Sequence, residues 1–331
     1  MPFRAFVLNK TDDQFSAGVQ TLEDSALMPG DVTIRVEWSG VNYKDGLACL
    51  PKSSVVRKYP MIPGIDLAGT VVSSSDARFT AGQPVVVIGY ETGVSHFGGY
   101  AELARVPASY VCALPAGLST KEAAALGTAG FTAAMSVEAL EKAGLSPDKG
   151  TVLVSGATGG VGSTAVSMLA GRGYTVAAST GKAEEHAFLR ELGATEILSR
   201  EEVSAESARP IEAERWAAAV DPVGGATTSY LLRTTRYGGS VAVSGLAGGT
   251  AVATTVLPFI LRGVNLLGIE SVNYPIELRA KLWARMASES DLKPRGLLES
   301  IAHETGLEGI PEATEAILKG AIKGRVLIKV S

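Results

Sequence analysis

A glycine-rich segment, residues 151–182, constrains the fold of this chain more than any other part of the sequence. It begins with a short apolar run rich in β-branched residues, passes through a cluster of glycines, and continues with small and apolar residues at helical spacing. A second β-branched run follows at residues 174–178. This order predicts a strand, a tight turn, a helix and a second strand, with unpaired N–H groups at the helix N-terminus available to an anion.

The glycines of this turn match most of the fingerprint of dinucleotide-binding folds. Gly159 and Gly162 correspond to its second and third glycines, and Ala157 stands at the first, which mainly needs a small residue. The pattern alone would also suit a tightly packed turn that binds nothing. Because it lies between a strand and a helix, we expect a cofactor to bind here, at Thr158, Gly159, Gly160 and Val161.

Length and composition exclude several classes of protein. The 331 residues are too many for one ordinary core and predict two domains, while a net charge of −4 with scattered charges argues against a nucleic-acid partner. We find no apolar run long enough to span a bilayer and no signal peptide, which predicts a cytoplasmic protein without a membrane partner. The two cysteines, Cys49 and Cys112, lie far apart, so we expect neither a disulfide framework nor structural zinc.

The periodicity of the sequence changes near residue 120. Residues 4–113 contain short β-type runs separated by Gly, Pro, Asp and Ser, which predicts a β-rich module. Next, Ser119 and Thr120 can cap a helix, and a second helix is predicted at residues 131–143. Strands and helices then alternate as far as residue 269, which predicts the α/β class with a doubly wound parallel sheet. A last strand, residues 325–330, can return to the first domain.

Five long segments resemble the zinc-independent branch of the medium-chain dehydrogenase/reductase superfamily, and within it the acrylyl-CoA reductase and quinone oxidoreductase family. They are NYKDGLA (residues 42–48), YPMIPGIDLAGTVV (59–72), GTAGFTAA (127–134), LRTTRYGGSVAVSGLAGG (232–249) and PFILRGVNLLGIESV (258–272). The resemblance extends over essentially the whole chain. Several long motifs in the same order are far more specific than the glycine turn alone.

This resemblance implies a GroES-like catalytic domain at residues 1–120, completed by about 296–331, and a Rossmann NADPH-binding domain at residues 121–295. It also implies NADPH as the hydride donor and a homodimer. Zinc-containing members place cysteine and histidine ligands in the first domain, but the corresponding segments here, residues 40–45 and 64–66, contain neither. We therefore expect no metal site, since His96, His186 and His303 are also scattered.

The end of the second Rossmann strand indicates which dinucleotide is bound. NAD-specific folds usually place an acidic residue there to bind the ribose 2′-hydroxyl. Here Ser179, Thr180 and Lys182 supply two hydroxyls and a cation, which favours the 2′-phosphate of NADPH, although Lys182 alone could be a solvated lysine. Glu184 and Glu185 can sit in the first turn of the next helix. The resemblance implies Arg200 as a second phosphate partner, with a capped loop as the alternative for residues 199–202.

Reduction of an activated C=C bond requires hydride delivery, stabilisation of an enolate and protonation. Asn42 and Asp45 are three residues apart, so a helical turn would place them on one side and Tyr43 on another. By resemblance this segment lies beside the nicotinamide, which implies cofactor contact for Tyr43 and substrate orientation or an acid/base network for Asn42 and Asp45. A satisfied helix-cap pair is the alternative for those two. The resemblance also implies that Arg325 pairs with Asp45 or steadies the enolate oxygen, and no general acid other than solvent is evident.

Further residues are candidates for the nicotinamide side of the cofactor. Glycines at residues 244–249 permit close backbone approach, and Leu246 and Ile260 can exclude water from the hydride path, although both would also suit a protein core. Ser271 is a further neighbour by resemblance.

The leading hypothesis is an NADPH-dependent reductase that acts on a short enoyl-CoA such as acrylyl-CoA. Lys52, Arg57 and Lys58 are candidates for contact with the CoA phosphates, with a solvated loop as the alternative. The second hypothesis is an NADPH:quinone or enone oxidoreductase, which would need a wider apolar cleft and no cations for CoA. A non-catalytic NADPH-binding protein is a third, and the intact glycine turn argues against it.

Overall fold

The computed structural model of this chain describes residues 2–11, 14–288 and 302–331. They form two compact units. The first unit contains the chain as far as Thr128, the segment Val272–Ala287 and the C-terminal residues, and the second contains Ala129–Ser271. Val272–Ala287 thus clusters with the first unit, whereas the sequence-based boundaries assigned it to the Rossmann domain. The predicted boundary near residue 296 lies outside the described residues.

The first unit is built on two sheets, in which the described strand pairs are antiparallel except for the parallel pair at one edge of the larger sheet. Strands β1 (Pro2–Lys10) and β2 (Phe15–Glu23) pair with each other. A larger sheet has the order β14-β15-β3-β4-β5-β7, with β6 also paired to β3. Its strands are β3 (Val32–Gly40), β4 (Asp66–Ser74), β5 (Pro84–Ile88), β6 (Leu103–Val106), β7 (Val111–Ala113), β14 (Ala302–Thr305) and β15 (Arg325–Lys329).

The last strand returns to the first unit, as the sequence suggested. β15 pairs antiparallel with β3, with Leu327 opposite Gly40 and Lys329 opposite Trp38. Alternate residues of β3, among them Val32, Ile34 and Val36, are buried in the core, as the two-residue period of a strand requires. The register places Arg325, at the start of β15, two residues beyond the end of β3.

Four helices contribute described residues to the first unit. They are α1 (Tyr43–Ala48), the beginning of α2 (Thr120–Lys142), α7 (Ile276–Met286) and α8 (Ile310–Leu318). Helix α1 packs closely on α8, because a Cβ atom at Gly46 would come within 2.8 Å of the Leu318 side chain. This contact fixes the short helix that carries the NYKDGLA motif.

Helix α2 is interrupted at Gly127, between the two helices predicted from sequence. Gly127 has φ 49° and ψ −154°, a conformation that glycine adopts without strain. A Cβ atom there would also collide with the Asp66 carboxylate, and it would lie 2.7 Å from the Arg325 guanidinium. Both the backbone angle and the space therefore require glycine.

Helix α2 is long and apolar enough to cross a membrane, with a mean hydropathy of 1.3 in its most apolar window. The expectation that no apolar run would be long enough to span a bilayer was therefore wrong. The same window is 83% buried within the protein, as is typical of a core helix. Its hydropathy is explained by packing.

The second unit contains a parallel sheet with the strand order β10-β9-β8-β11-β12-β13. The strands are β8 (Val152–Val154), β9 (Val176–Thr180), β10 (Glu196–Ser199), β11 (Trp216–Asp221), β12 (Thr235–Val243) and β13 (Asn265–Gly268). The helices are α3 (Gly160–Gly171), α4 (His186–Leu192), α5 (Ala226–Thr234) and α6 (Leu257–Arg262), together with the remainder of α2.

This strand order is that of the doubly wound Rossmann fold, which confirms the predicted class. The order reverses between β8 and β11, so their carboxyl ends form the crevice where such folds bind ligands. The glycine turn follows β8 directly and therefore lies at this crevice.

Candidate functional site

The glycine turn has the geometry that the fingerprint requires. Gly156 has φ +52°, and a Cβ atom at Gly162 would collide with the carbonyl oxygen of Gly156. Helix α3 begins at Gly160 with Gly159 as its N-cap, and no side chain caps it. The N–H groups of its first turn, including those of Gly160 and Val161, therefore lack an intrahelical acceptor and can bind a phosphate.

The residues around this turn fit a bound dinucleotide. Thr158 is buried, with its Oγ1 3.3 Å from Oγ1 of Thr180, which links the turn to the end of β9. At the end of β12, Ser244 Oγ is buried without a hydrogen-bond partner among the described residues. An orphaned hydroxyl at the carboxyl edge of the sheet is consistent with a ligand group there.

The end of β9 carries no carboxylate. Ser179 and Thr180 are both buried: the Ser179 hydroxyl donates to the Ser199 carbonyl oxygen at 3.3 Å, and Thr180 Oγ1 accepts from the Lys182 backbone N–H at 3.0 Å. Their hydroxyls are thus partly engaged inside the protein, which the sequence pattern had not indicated. Glu184 and Glu185 lie in a 3₁₀ turn that precedes α4.

Two cations flank this strand end. The guanidinium of Arg200 lies against Gly181, where a Cβ atom would be 2.8 Å from Nη2. Arg200 is exposed, and its side chain forms no ion pair with another described residue. Lys182, one residue beyond Gly181, is half-buried. The structure thus brings Arg200 to the phosphate-side segment predicted for it.

The residues predicted for the nicotinamide side are exposed or half-buried. Leu246 and Ile260 are 56% and 68% exposed, so neither is the core residue that the sequence left open as the alternative. Ser271 Oγ accepts a hydrogen bond from Thr132 Oγ1 at 3.1 Å. Apolar side chains of this size remain available to cover a ligand.

Asp221 holds the crevice together and was not predicted. It is fully buried at the end of β11, where Oδ1 accepts from Ser155 Oγ at 2.6 Å and from the Val223 N–H at 3.0 Å. Oδ2 accepts from Thr228 Oγ1 on α5. The sequence signal was an acidic residue that ends a buried apolar strand immediately before Pro-Val-Gly-Gly.

In the first unit, four polar side chains form what we call the buried polar cluster: Asn42, Asp45, Asp66 and Arg325. Each is at most 7% exposed. The Asn42 amide nitrogen donates to Oδ2 of Asp45 at 3.2 Å and to Oδ2 of Asp66 at 2.8 Å, and Arg325 Nη1 donates to Oδ1 of Asn42 at 2.8 Å. All three predicted catalytic residues therefore lie together, but their polar groups are hydrogen-bonded within the cluster.

Arg325 pairs with Asp66, and the predicted pair with Asp45 is not formed. Its Nη2 lies 3.1 Å from Oδ2 of Asp66, while Nε and Nη1 donate to the carbonyl oxygens of Ala125 and Val41. Asp45 instead accepts the backbone N–H groups of Asn42 and Ile65 at 2.8 and 2.9 Å. The reason is that Asp45 lies in the first turn of α1 and caps it, whereas the strand register brings Arg325 to Asp66.

The cluster raises the affinity of one carboxyl for protons. Burial and the neighbouring Asp66 raise the pKa of Asp45 to about 7, although the hydrogen bonds from Asn42 and Ile65 act in the opposite direction. Burial, with smaller contributions from Asp45 and Cys49, also raises the pKa of Tyr100, whose hydroxyl is directed to the Gly40 carbonyl oxygen at 3.4 Å.

Two members of this arrangement were missed from sequence. Asp66 was considered only as a position without a zinc ligand, and Thr128 was not considered. Thr128 donates to Asp66 through both its N–H and its hydroxyl. For Asp66, the available signal was an acidic residue at the start of a buried strand, with an arginine at the start of another strand as its possible partner.

Tyr43 is the residue of the NYKD motif that is most exposed. It is the first residue of α1 and is 40% exposed, whereas Asn42 and Asp45 beside it are buried. The helix-cap alternative for Asn42 and Asp45 is therefore present in the structure. Its consequence is a fixed helix start that presents Tyr43 to the outside of the unit.

Three further cations, Lys52, Arg57 and Lys58, are exposed on a loop of the first unit. None forms an ion pair with another residue that the structure describes. Lys10 reaches the same loop, donating to the Pro51 carbonyl oxygen at 3.1 Å. The loop is thus a cationic surface.

Within the described residues, no group of three or more His, Cys, Asp or Glu side chains is arranged to hold a metal ion. His96 bonds the Arg105 carbonyl oxygen through Nε2 at 2.7 Å. Cys49 and Cys112 are free thiols, and burial raises their pKa to about 12 and about 11.

Two family models match the chain. The model described as alcohol dehydrogenase GroES-like domain matches residues 28–116, and the one described as zinc-binding dehydrogenase matches residues 160–288. Together they span more than half of the sequence and confirm the GroES-like and Rossmann-type predictions.

Relatives match over nearly the full length. The chain is 53% identical over 327 residues to a Bacillus subtilis protein named "Putative quinone oxidoreductase YhfP", covering 99% of this chain and 98% of that one. It is 48% identical over 331 residues to acrylyl-CoA reductase AcuI of Ruegeria pomeroyi, covering 99% of each.

Solved structures agree with these matches. Escherichia coli K-12 YHDH with bound NADPH has a TM-score of 0.94 at 47% identity, covering 99% of this chain and 100% of that one. Bacillus subtilis yhfP with NAD bound has a TM-score of 0.96 at 52% identity, covering 99% of each. The chain therefore belongs to the medium-chain dehydrogenase/reductase family.

Proposed function

We propose that this protein is an NADPH-dependent reductase of the activated C=C bond of a short enoyl-CoA such as acrylyl-CoA. The observation that carries the proposal is the end of β9, where Lys182 and Arg200 replace the carboxylate that NAD would need. A relative that is 48% identical along the whole chain is named acrylyl-CoA reductase, and it supplies the substrate class.

NADPH binds along the carboxyl edge of the second unit's sheet. Thr158, Gly159, Gly160 and Val161 hold the pyrophosphate at the start of α3. Ser179, Thr180, Lys182 and Arg200 form the region that receives the 2′-phosphate. Cations beside a strand end that carries no acidic residue favour a dianionic phosphate over a hydroxyl. One similar structure contains NAD, so the preference of this chain depends on these side chains and is tested below.

When bound, NADPH would supply the hydride that reduces the β-carbon of the enoyl thioester. In the second unit, Leu246, Ile260 and Ser271 would contact the cofactor, and the exposed apolar side chains of Leu246 and Ile260 would exclude water around it. Cofactor contact for Tyr43 rests on the family resemblance. Solvent then protonates the α-carbon, because no exposed acid is positioned for this step among the residues assigned here.

Asn42, Asp45 and Arg325 act as positioning residues. The Asn42 amide and all but one of the Arg325 N–H groups are hydrogen-bonded within the first unit, so they cannot also bind a substrate oxygen without breaking the cluster. Their contribution is to fix the start of α1 and thereby Tyr43. A charged cluster of this kind is costly to rearrange, which keeps the position of Tyr43 constant.

The CoA moiety would be recognised by its phosphates. Lys52, Arg57 and Lys58 are exposed and lack described ion-pair partners, as phosphate-binding side chains require before the ligand arrives. Replacing these three residues by glutamine should raise KM for acrylyl-CoA while leaving KM for NADPH unchanged. If the triple variant has the same KM for acrylyl-CoA as the wild type, the loop does not bind CoA.

The alternative is an NADPH:quinone or enone oxidoreductase. It is favoured by the name of the relative that is 53% identical and by the exposed apolar surface of Leu246 and Ile260. NADPH oxidation should be measured with acrylyl-CoA and with 1,4-benzoquinone under matched conditions. A higher kcat/KM for acrylyl-CoA supports the leading proposal, whereas a much higher value for the quinone would replace it.

A non-catalytic NADPH-binding protein is the third possibility. The glycine turn and the two cations at the end of β9 support binding but do not by themselves require turnover. Fluorescence titration with NADPH shows whether the cofactor binds, and NADPH oxidation in the presence of acrylyl-CoA or the quinone shows whether binding leads to turnover.

We further propose that the protein is a cytoplasmic homodimer that pairs through β13. This strand ends the sheet of the second unit, and Asn265, Leu266 and Gly268 are exposed. An open edge that carries an apolar side chain favours pairing with another strand. A second copy offers the same edge, so an antiparallel pairing would close both.

A further inference from the structure

Strand β12 contains a bulge that enters none of the roles assigned above. Trp216 of β11 pairs with Thr235, and Ala218 pairs with Ser240, so residues 236–239 of β12 lie opposite one residue of β11. Gly238 within the bulge has φ +70°, and Tyr237 is 78% exposed. Bulges re-aim side chains out of a strand, and this one turns Arg236 and Tyr237 away from the sheet.

A cavity of about 370 Å³ lies beside this bulge, entirely within the second unit. Leu140 and Leu145 line it near the end of α2, and Ala217, Arg236, Tyr237 and Lys149 line it elsewhere. Ala217 and the bulge belong to the amino-terminal halves of β11 and β12. Because the strands are parallel, the cavity is at the opposite edge of the sheet from the glycine turn, so it is separate from the cofactor crevice.

The charged residues that line the cavity are both cations, Lys149 and Arg236. Arg236 Nη1 donates to the Lys149 carbonyl oxygen at 3.1 Å, which holds the guanidinium at the cavity. No other side chain or carbonyl group among the described residues accepts a hydrogen bond from this guanidinium. The Lys149 ammonium lies over Gly144, 3.7 Å from where a Cβ atom would be. Neither cation forms an ion pair with a described residue.

Nearby carboxylates do not neutralise this pair. Glu141 is engaged by Arg172 at 3.1 Å. Asp148 does not line the cavity, and its pKa is lowered first by a hydrogen bond with Ser146 and only to a smaller extent by Lys149. The cavity therefore combines a positive potential with apolar walls and one aromatic ring.

We propose that this cavity binds a small aromatic anion, such as an aromatic carboxylate or sulfonate. The anionic group lies between Arg236 and Lys149, since a guanidinium matches a carboxylate with parallel N–H donors. The flat apolar body packs on the exposed Tyr237 ring. The volume lies within the range of small-molecule sites. This site is independent of the reductase function proposed above.

The test is isothermal titration calorimetry with 1-naphthoate, using the full-length protein saturated with NADP⁺ so that the cofactor crevice is occupied. Its neutral analogue 1-naphthylmethanol measures the part of binding that needs no charge. The variants are Arg236→Gln, Lys149→Gln and Tyr237→Ser. The control is Arg190→Gln, which removes another exposed cation of the same unit.

The wild type should bind 1-naphthoate more tightly than 1-naphthylmethanol, and affinity should fall as salt is raised. Arg236→Gln should weaken binding by about tenfold or more, the value of a charge-assisted hydrogen bond, and Lys149→Gln should weaken it less. Arg190→Gln should match the wild type.

Because Arg236 also bonds a backbone carbonyl, Lys149→Gln provides a second charge variant that leaves that bond in place. Thermal melting shows whether each variant is folded. Equal affinity in the wild type and in a folded Lys149→Gln and Arg236→Gln, or no binding of 1-naphthoate to the wild type, would overturn the proposal.

Discussion

The guanidinium of Arg200 lies so close to Gly181 that a Cβ atom at residue 181 would be 2.8 Å from Nη2. The absence of a side chain at residue 181 is thus what allows Arg200 to rest beside the end of β9. Gly181→Ala should displace Arg200 and raise KM for NADPH by about threefold to tenfold, because one charge-assisted contact is weakened. KM for NADH should not change.

Steady-state kinetics with both cofactors measure this effect. The matched control is Gly18→Ala, since a Cβ atom at Gly18 would meet nothing within 4 Å. If Gly181→Ala changes KM for NADPH and KM for NADH by the same factor, Arg200 does not bind the 2′-phosphate.

A direct removal of charge gives a second prediction. Lys182→Gln and Arg200→Gln should each lower kcat/KM for NADPH by about tenfold and leave the value for NADH nearly unchanged. Arg190→Gln, on α4 of the same unit, is the control for a general loss of positive charge. The assignment of NADPH fails if the wild type uses NADH with the same kcat/KM as NADPH.

The ion pair between Arg325 and Asp66 predicts a strong stability effect. Both side chains are at most 3% exposed, so Arg325→Met leaves a buried carboxylate without its cation and should lower the free energy of unfolding by about 3–5 kcal/mol. Urea unfolding measures this loss. Asp66→Asn in the same chain should recover part of it, because the uncompensated charge is removed.

Arg78→Met is the control for this pair, because it breaks a surface ion pair whose Arg78 and Asp76 side chains are 57% and 26% exposed, and it should change stability much less than Arg325→Met does. An additive double variant, with no recovery, would show that Arg325 and Asp66 are not coupled.

The raised pKa of Asp45 predicts how stability changes with pH. Burial and Asp66 raise this pKa to about 7, whereas an aspartate in an unfolded chain titrates near about 4. The folded state therefore holds a proton that the unfolded state releases between these values. The stability contributed by Asp45 is fully present below pH 4 and is lost as pH rises through 7, with a slope of at most about 1.4 kcal/mol per pH unit.

Asp45→Asn removes this titration, so its destabilisation relative to the wild type should shrink between pH 5 and pH 8. Asp76→Asn serves as the control, because Arg78 lowers the pKa of Asp76 to about 2 and the group does not titrate in this window. Urea unfolding at four pH values across the range gives the slopes. Parallel profiles for the wild type and Asp45→Asn would contradict a raised pKa in the folded protein.

The local elements of the fold could be predicted from sequence because their signals are local. The glycine turn, the alternation of strands and helices, and the break near Gly127 all depend on backbone rules within a few residues. Strand β2 was missed because FSAGVQTLE has no clear apolar alternation, and the bulge in β12 was missed because Arg-Tyr-Gly-Gly resembles an ordinary turn.

The candidate site was harder to predict because its contacts are long-range. Asn42 and Asp45 were found from their spacing, but the partner of Arg325 depends on strand register, which brings residues 66 and 325 together. Sequence spacing likewise cannot show that Ser179 and Thr180 direct their hydroxyls into the protein. Burial, and with it the pKa of Asp45, follows only from the assembled fold.

The open edge of β13 provides the last prediction. Leu266 on this strand is 40% exposed, and a lysine side chain at an edge discourages strand pairing by bringing like charges together at the two-fold axis. Leu266→Lys should therefore shift the protein from dimer to monomer in sedimentation velocity. Leu278→Lys is the matched control, because Leu278 is 41% exposed on α7 of the first unit and should leave the dimer intact. A wild type that sediments as a monomer, or a Leu266→Lys variant that remains fully dimeric, would exclude pairing through β13.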